Sequence, residues 1–193
     1  MDRTFKIALA ILLFNIAFAI YHIAQGLYTH SRWLLTIGVY YVVLSSVRFV
    51  VIKAKRNGRL LTVSSGIILM ILSVTLVGTV ILAVIRDRGI VMHEIAMIAM
   101  ALYSFTKITL AIINLVRARK SNSARLITLR NVSLADACVS IFTLQRSMLV
   151  SFGDMSAKDI RIFNAATGAA VCIVVFLLGM WLVKSDRLKQ SDA

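Results

Sequence analysis

The sequence contains no proline, and only nine of its 193 residues are glycine. Proline interrupts helices because it lacks a backbone N–H and its ring clashes with the preceding turn. Its absence favours continuous helices. This argues against the broken, unwound helices with which many secondary transporters bind substrate.

Cysteine is also scarce, and its two copies, Cys138 and Cys172, lie inside apolar stretches. Their spacing fits neither a metal site nor a disulfide framework. We interpret both as small apolar packing residues. The sequence also lacks the catalytic signatures of a G-x-S-x-G elbow, a Walker loop and a paired acidic motif, which argues against an enzyme. We expect no cofactor and no metal.

Acidic residues are few: eight Asp and Glu stand against 22 Lys and Arg, which gives a formal net charge of +14. Such an excess can indicate nucleic-acid binding. Here the basic residues lie at the ends of apolar stretches, as in membrane proteins, so we expect no nucleic-acid partner. We do expect a basic cytoplasmic surface that attracts anionic lipid headgroups.

Apolar residues are plentiful, at 60% of the chain, and the mean hydropathy is +0.88. A membrane-spanning helix needs about 20 mainly apolar residues. Six stretches reach roughly that length. The sequence predicts an all-α bundle of six transmembrane helices forming a single transmembrane domain, 1–193, with spans at about 5–25, 33–52, 60–85, 90–116, 126–152 and 162–183.

The distribution of basic residues predicts the orientation of these spans. On one side lie Arg3, Lys6, Arg48, Lys53, Lys55, Arg56, Arg59, Arg117, Arg119, Lys120, Arg125, Arg130, Lys184, Arg187 and Lys189. On the other side lie Arg32, Arg86, Arg88, Arg146, Lys158 and Arg161. Because basic loops stay in the cytoplasm, both termini are predicted to be cytoplasmic, in a bacterial cytoplasmic membrane.

The first apolar stretch has a second interpretation. Ala17-Phe18-Ala19 follows a charged start and an apolar run, as in a cleavable signal peptide. The apolar character continues to Ala24, which favours a retained first span.

Ionisable residues inside a membrane are costly and indicate function by default. Lys107 and Asp136 lie in consecutive predicted spans, each about 15 Å from the same side of the membrane at 1.5 Å per residue. An ion pair between them would either fix the register of two helices or take part in ion or proton movement.

Further polar residues follow a helical period. Ser133, Asp136, Ser140, Thr143 and Ser147 lie on one face of the fifth span. Such a face contacts other helices or water rather than lipid. Packing between helices and a polar path both remain open. Asn15 in the first span and Tyr103 in the fourth extend the predicted polar interior.

A second group of polar residues is predicted near the outer side. It comprises His22, His93, Glu94, Gln145, Arg146 and Asn164. Imidazoles and a carboxylate can bind metal or relay protons, but no H-E-x-x-H spacing is present. Interfacial polar residues at helix ends are the ordinary interpretation.

The layout of the spans, the stretch Tyr103-Ser104-Phe105-Thr106-Lys107 and the stretch 152–168 resemble those of small six-span bacterial membrane proteins of unassigned activity. The resemblance implies no function. Our leading hypothesis is a small solute or ion transporter or channel. The alternatives are a scaffold or regulatory subunit, working with a protein partner or as a homo-oligomer, and a membrane-embedded enzyme.

Overall fold

The computed structural model describes residues 3–53, 58–85, 94–118, 123–152 and 155–191. They form six helices: α1 (Arg3–Tyr28), α2 (Arg32–Lys53), α3 (Gly58–Ile85), α4 (Glu94–Ala118), α5 (Ala124–Phe152) and α6 (Ala157–Ser191). Each contains a stretch long and apolar enough to cross a membrane. The predicted all-α six-helix bundle is confirmed, and the protein is a polytopic membrane protein.

The helices extend beyond most of the predicted spans. The largest difference is in α6, which begins at Ala157 and continues to Ser191, whereas the apolar stretch covers only 162–183. Lys, Arg and Gln are good helix formers, so a helix continues after its apolar part ends. In α4 the first four residues of the predicted span, 90–93, lie outside the described residues.

The turn between α1 and α2 is a defined helix cap. His30 adopts a left-handed conformation with φ of 51°. The N–H of Ser31 donates to the carbonyl of Gly26 at 3.0 Å, and the N–H of His30 donates to the carbonyl of Leu27 at 3.4 Å. This Schellman arrangement satisfies the last carbonyls of α1 and reverses the chain within a few residues.

Helix α5 is the central helix of the bundle, in contact with α2, α3, α4 and α6. It has the least apolar span of the six, with a mean hydropathy of 1.3 against 2.8 for α3. Because other helices surround it, its polar side chains face protein instead of lipid. That position explains why the fifth span carries the polar face seen in the sequence.

The most extensive helix contact joins α3 and α6. A Cβ atom added to Gly179 would lie 2.8 Å from the carbonyl oxygen of Gly66, and one added to Gly66 would lie 2.9 Å from the carbonyl oxygen of Gly179. Small residues let membrane helices approach this closely. The helices that pack together are therefore not always consecutive in the chain. Helix α4 packs on the next helix, α5, whereas α3 packs mainly on α6.

Candidate functional site

The carboxylate of Asp136 in α5 is the centre of a buried polar cluster, which we define as Asn15, Arg48, Tyr103, Lys107 and Asp136. Its Oδ1 accepts a hydrogen bond from Nζ of Lys107 at 2.5 Å. Its Oδ2 accepts from Nδ2 of Asn15 at 2.8 Å and from Nη2 of Arg48 at 3.2 Å. Helices α1, α2, α4 and α5 thus meet at one carboxylate, which is 1% exposed.

Lys107 reaches this carboxylate between two aromatic rings. Its Nζ lies 4.3 Å from the ring centroid of Tyr41 in α2 and 4.3 Å from that of Tyr103 in α4. Tyr103 and Lys107 are four residues apart, so they share a helix face. A desolvated ammonium group over tyrosine rings gains about 2 kcal/mol per interaction, which offsets part of the cost of its burial.

Asn15 connects the carboxylate to Tyr103. Its Oδ1 accepts a hydrogen bond from the Tyr103 hydroxyl at 2.8 Å, while its Nδ2 donates to Asp136. The ring of Phe18 stacks on Tyr103 with centroids 4.0 Å apart. This chain of contacts fixes α1 against α4 near the carboxylate.

Arg48 belongs to this cluster, which corrects the prediction from the distribution of basic residues. That distribution places Arg48 among the residues that flank the spans, but its side chain is fully buried. Its Nη2 donates to Asp136 and also to Oγ of Ser133, at 3.3 Å. Within the described part of the chain, its Nε and Nη1 atoms have no hydrogen-bond partner.

A sequence signal for Arg48 did exist. It follows Tyr41 by seven residues, which puts both on one face of α2, and Phe49, Val50, Val51 and Ile52 continue the apolar stretch after it. A long side chain near a helix end can reach either the interface or the interior. The helical period does not determine whether the Arg48 side chain lies at the interface or in the interior. The position of Asp136 on α5 determines it, because Arg48 pairs with that carboxylate.

The cluster holds more positive than negative charge. It contains two cationic side chains, Arg48 and Lys107, and one carboxylate, Asp136. Among the side chains that the structure describes, no other buried residue is acidic. Removing an unpaired ion from water costs several kcal/mol or more, so the second cation needs an additional source of negative charge.

The other residues of the polar face on α5 also lie in the bundle interior. Oγ of Ser140 donates to the Asp136 backbone carbonyl at 2.9 Å and lies 3.2 Å from the Tyr41 hydroxyl. Oγ1 of Thr143 donates to the carbonyl of Val139 at 2.8 Å. Ser133 and Ser147 are buried too. All five residues of the face are therefore buried within the bundle.

Two described members of the outer polar group, His22 and Arg146, are buried beside aromatic rings. His22 is buried in α1, with its ring 4.5 Å from that of Phe18, and its Nδ1 donates to the Phe18 carbonyl at 3.0 Å. The guanidinium of Arg146 lies 4.2 Å from the ring centroid of Trp33.

The remaining members of that group differ in burial. Glu94 is exposed, Gln145 is half-buried and Asn164 is buried, while His93 lies outside the described residues. Within the described ranges, no three His, Cys, Asp or Glu residues lie close enough together to hold a metal ion.

No protein-family model matches the chain, and no curated protein is significantly similar to it. The chemistry of the polar cluster is thus the basis for a functional proposal.

Proposed function

We propose that this membrane protein transports an anion, and that Arg48, Lys107 and Asp136 form its binding site. The observation that carries the proposal is the charge of the cluster: two buried cations share one carboxylate. Buried charges in proteins are normally paired. A bound anion would provide the missing negative charge and give Arg48 acceptors for its unpartnered Nε and Nη1.

Asp136 would act as an internal substitute for the anion. Without a bound anion, Arg48 and Lys107 both pair with the Asp136 carboxylate, which accepts three hydrogen bonds in total. When the anion binds, one cation would pair with it and the other would stay with Asp136. Because Asp136 competes with the anion for the cations, the anion would bind without being held too tightly to leave, as transport of an ion requires.

Flux into vesicles tests this function. The protein is reconstituted in liposomes, and uptake of chloride, nitrate, acetate and decanoate is measured for the wild type and for Lys107→Met. We expect the wild type to carry at least one of these anions and Lys107→Met to lose that flux. Lys158→Met, which removes an exposed cation, is the matched control and should retain it. Flux through Lys107→Met at the wild-type rate would contradict the proposal.

We also propose that both termini face the cytoplasm of a bacterial cell. The argument is the distribution of flanking Lys and Arg, which keeps its sign when Arg48 is removed from the count. Cysteines introduced at Asn57 and Ser191, in a background with Cys138→Ala and Cys172→Ala, should be protected from a membrane-impermeant reagent in intact bacterial cells and modified after lysis. Modification of either cysteine in intact cells would refute the orientation.

A scaffold or regulatory role is the second candidate. Its support is the tight burial of the cluster, in which Lys107 is only 4% exposed and Arg48 is fully buried. A buried network of this kind can fix the register of neighbouring helices without binding a ligand. In that case purification in mild detergent should recover a stoichiometric membrane partner. Lys107→Met should then weaken this association and affect no anion flux.

A further inference from the structure

A cleft opens between α1 and α4 on the outer surface of the bundle. Its volume is about 300 Å³. Most of its lining is apolar, including Ile11, Phe14 and Leu102, and its polar lining residues are Tyr103, Thr106 and Lys107. We call this space the α1–α4 cleft.

The lining residues differ in exposure, which gives the cleft a direction. Phe14 and Leu102 are well exposed on the lipid-facing surface, whereas Ile11 and Lys107 are buried. The exposed residues therefore form the mouth and the buried ones the floor. The cleft connects the surrounding lipid with the same lysine that pairs with Asp136.

The depth of the cleft restricts what can enter it. Lys107 lies about 16 Å before the end of α4, at 1.5 Å per residue. The hydrocarbon layer is about 30 Å thick, so a lysine at mid-helix is far from the phospholipid headgroups. A ligand for Lys107 at this depth has to carry its own apolar part into the membrane.

Charge and shape together specify the ligand class. The floor belongs to a cluster with excess positive charge, which favours a negatively charged headgroup, and the apolar walls favour a hydrocarbon tail. A volume of about 300 Å³ lies at the small end of ligand sites. That space fits a compact headgroup with its first methylene groups, and the rest of the tail would lie in lipid.

We infer that the α1–α4 cleft binds the carboxylate of a fatty acid, with Lys107 as its cationic contact. This inference rests on the proposed function in one respect: it takes the excess positive charge of the cluster as the reason that an anion binds there, and it identifies Lys107, which lines the cleft, as the cation that pairs with it. It adds the substrate class and the route, since the ligand enters sideways from the lipid and not from the water on either side.

Equilibrium binding of radiolabelled decanoate tests the inference. The protein is placed in lipid nanodiscs, and empty nanodiscs provide the background from partition into lipid. We expect saturable binding that excess unlabelled decanoate displaces and that decanol, which has the same tail without the charge, does not. Lys107→Met should weaken binding about tenfold or more, because it removes a charge-assisted hydrogen bond.

A second variant tests the cleft without changing charge. Leu102→Trp places a larger side chain at the mouth and should lower decanoate binding to a similar extent. Phe105→Trp enlarges an exposed residue of the same helix that does not line the cleft, and it should bind as the wild type does. Displacement by decanol, or wild-type binding by either Lys107→Met or Leu102→Trp, would overturn the inference.

The outcomes separate this inference from the proposed function. Flux of chloride or acetate that depends on Lys107, without saturable decanoate binding, would reject the fatty-acid ligand and leave anion transport standing. Saturable decanoate binding that depends on Lys107, without flux of any anion, would reject transport and leave the α1–α4 cleft as a ligand site.

Discussion

The ammonium group of Lys107 and the carboxylate of Asp136 form an ion pair in which the lysine is the replaceable partner. Nζ of Lys107 lies 2.5 Å from Oδ1 of Asp136, but Oδ2 of the same carboxylate also pairs with Arg48 at 3.2 Å. Loss of the lysine leaves a neutral pair. Loss of the aspartate leaves two buried cations.

The two substitutions should therefore differ in stability. Asp136→Asn is expected to lower the free energy of unfolding by about 3–5 kcal/mol, as for other buried charges deprived of a partner. Lys107→Met should lower the free energy of unfolding by a smaller amount, because Arg48 still compensates Asp136. The difference between the two variants should be at least about 2 kcal/mol. Thermal unfolding of both variants in detergent measures the difference. Equal midpoints for the two variants would show that Arg48 does not share the carboxylate.

Tyr103→Phe tests the connection from α1 to α4. The change removes the hydroxyl that donates to Oδ1 of Asn15 but keeps the ring against Phe18 and Lys107. Hydrogen bonds between membrane helices contribute about 0.6 kcal/mol on average, so a loss of about that size is expected in thermal unfolding. Tyr28→Phe, at an exposed position, is the control and should not change the midpoint.

Gly179→Ala tests the close approach of α3 and α6. The new methyl group would lie 2.8 Å from the carbonyl oxygen of Gly66 and 3.1 Å from the backbone nitrogen of Met70, and backbone cannot move aside cheaply. Overpacking of this kind costs about 1–3 kcal/mol.

Gly78→Ala is the matched control for that change. A Cβ atom at Gly78 meets nothing within 4 Å, and alanine is the better helix former by about 1 kcal/mol. This variant should unfold at the same temperature as the wild type or above it. If Gly179→Ala also unfolded at the wild-type temperature or above it, α3 and α6 would be far enough apart at Gly179 to accept a methyl group.

His30→Gly should stabilise the protein. His30 has a φ of 51°, and a left-handed conformation costs an L-residue about 1 kcal/mol that glycine does not lose. Calorimetry in detergent should show a gain of up to about 1 kcal/mol. His30→Ala retains a Cβ atom and should give no gain. A loss on His30→Gly would indicate that the imidazole makes a contact outweighing the strain.

The six spans could be predicted from the sequence because the hydropathy of a span depends only on the composition of that span. The polar face of α5 was visible for a similar reason, since its five residues recur with the helical period. Lys107 and Asp136 could be placed at one depth because they lie in consecutive antiparallel helices.

Arg48 and the α3–α6 contact could not be placed in this way. Arg48 joins Asp136 across 88 positions in the chain, and Gly66 meets Gly179 across a still longer separation. Such contacts depend on which helices become neighbours. That choice is made by packing across the whole bundle, and the local pattern of each span does not contain it.

The central position of α5 has a consequence for how the protein is made. Insertion of α5 into lipid is unfavourable. Its span has a mean hydropathy of only 1.3 and carries an aspartate near its centre, which costs about 2.5–3.5 kcal/mol during insertion. Helix α4 precedes it in synthesis and brings Lys107 as its counter-ion. Insertion of the two helices as a pair would let Lys107 compensate the charge of Asp136, which lowers the cost of placing α5 in the membrane.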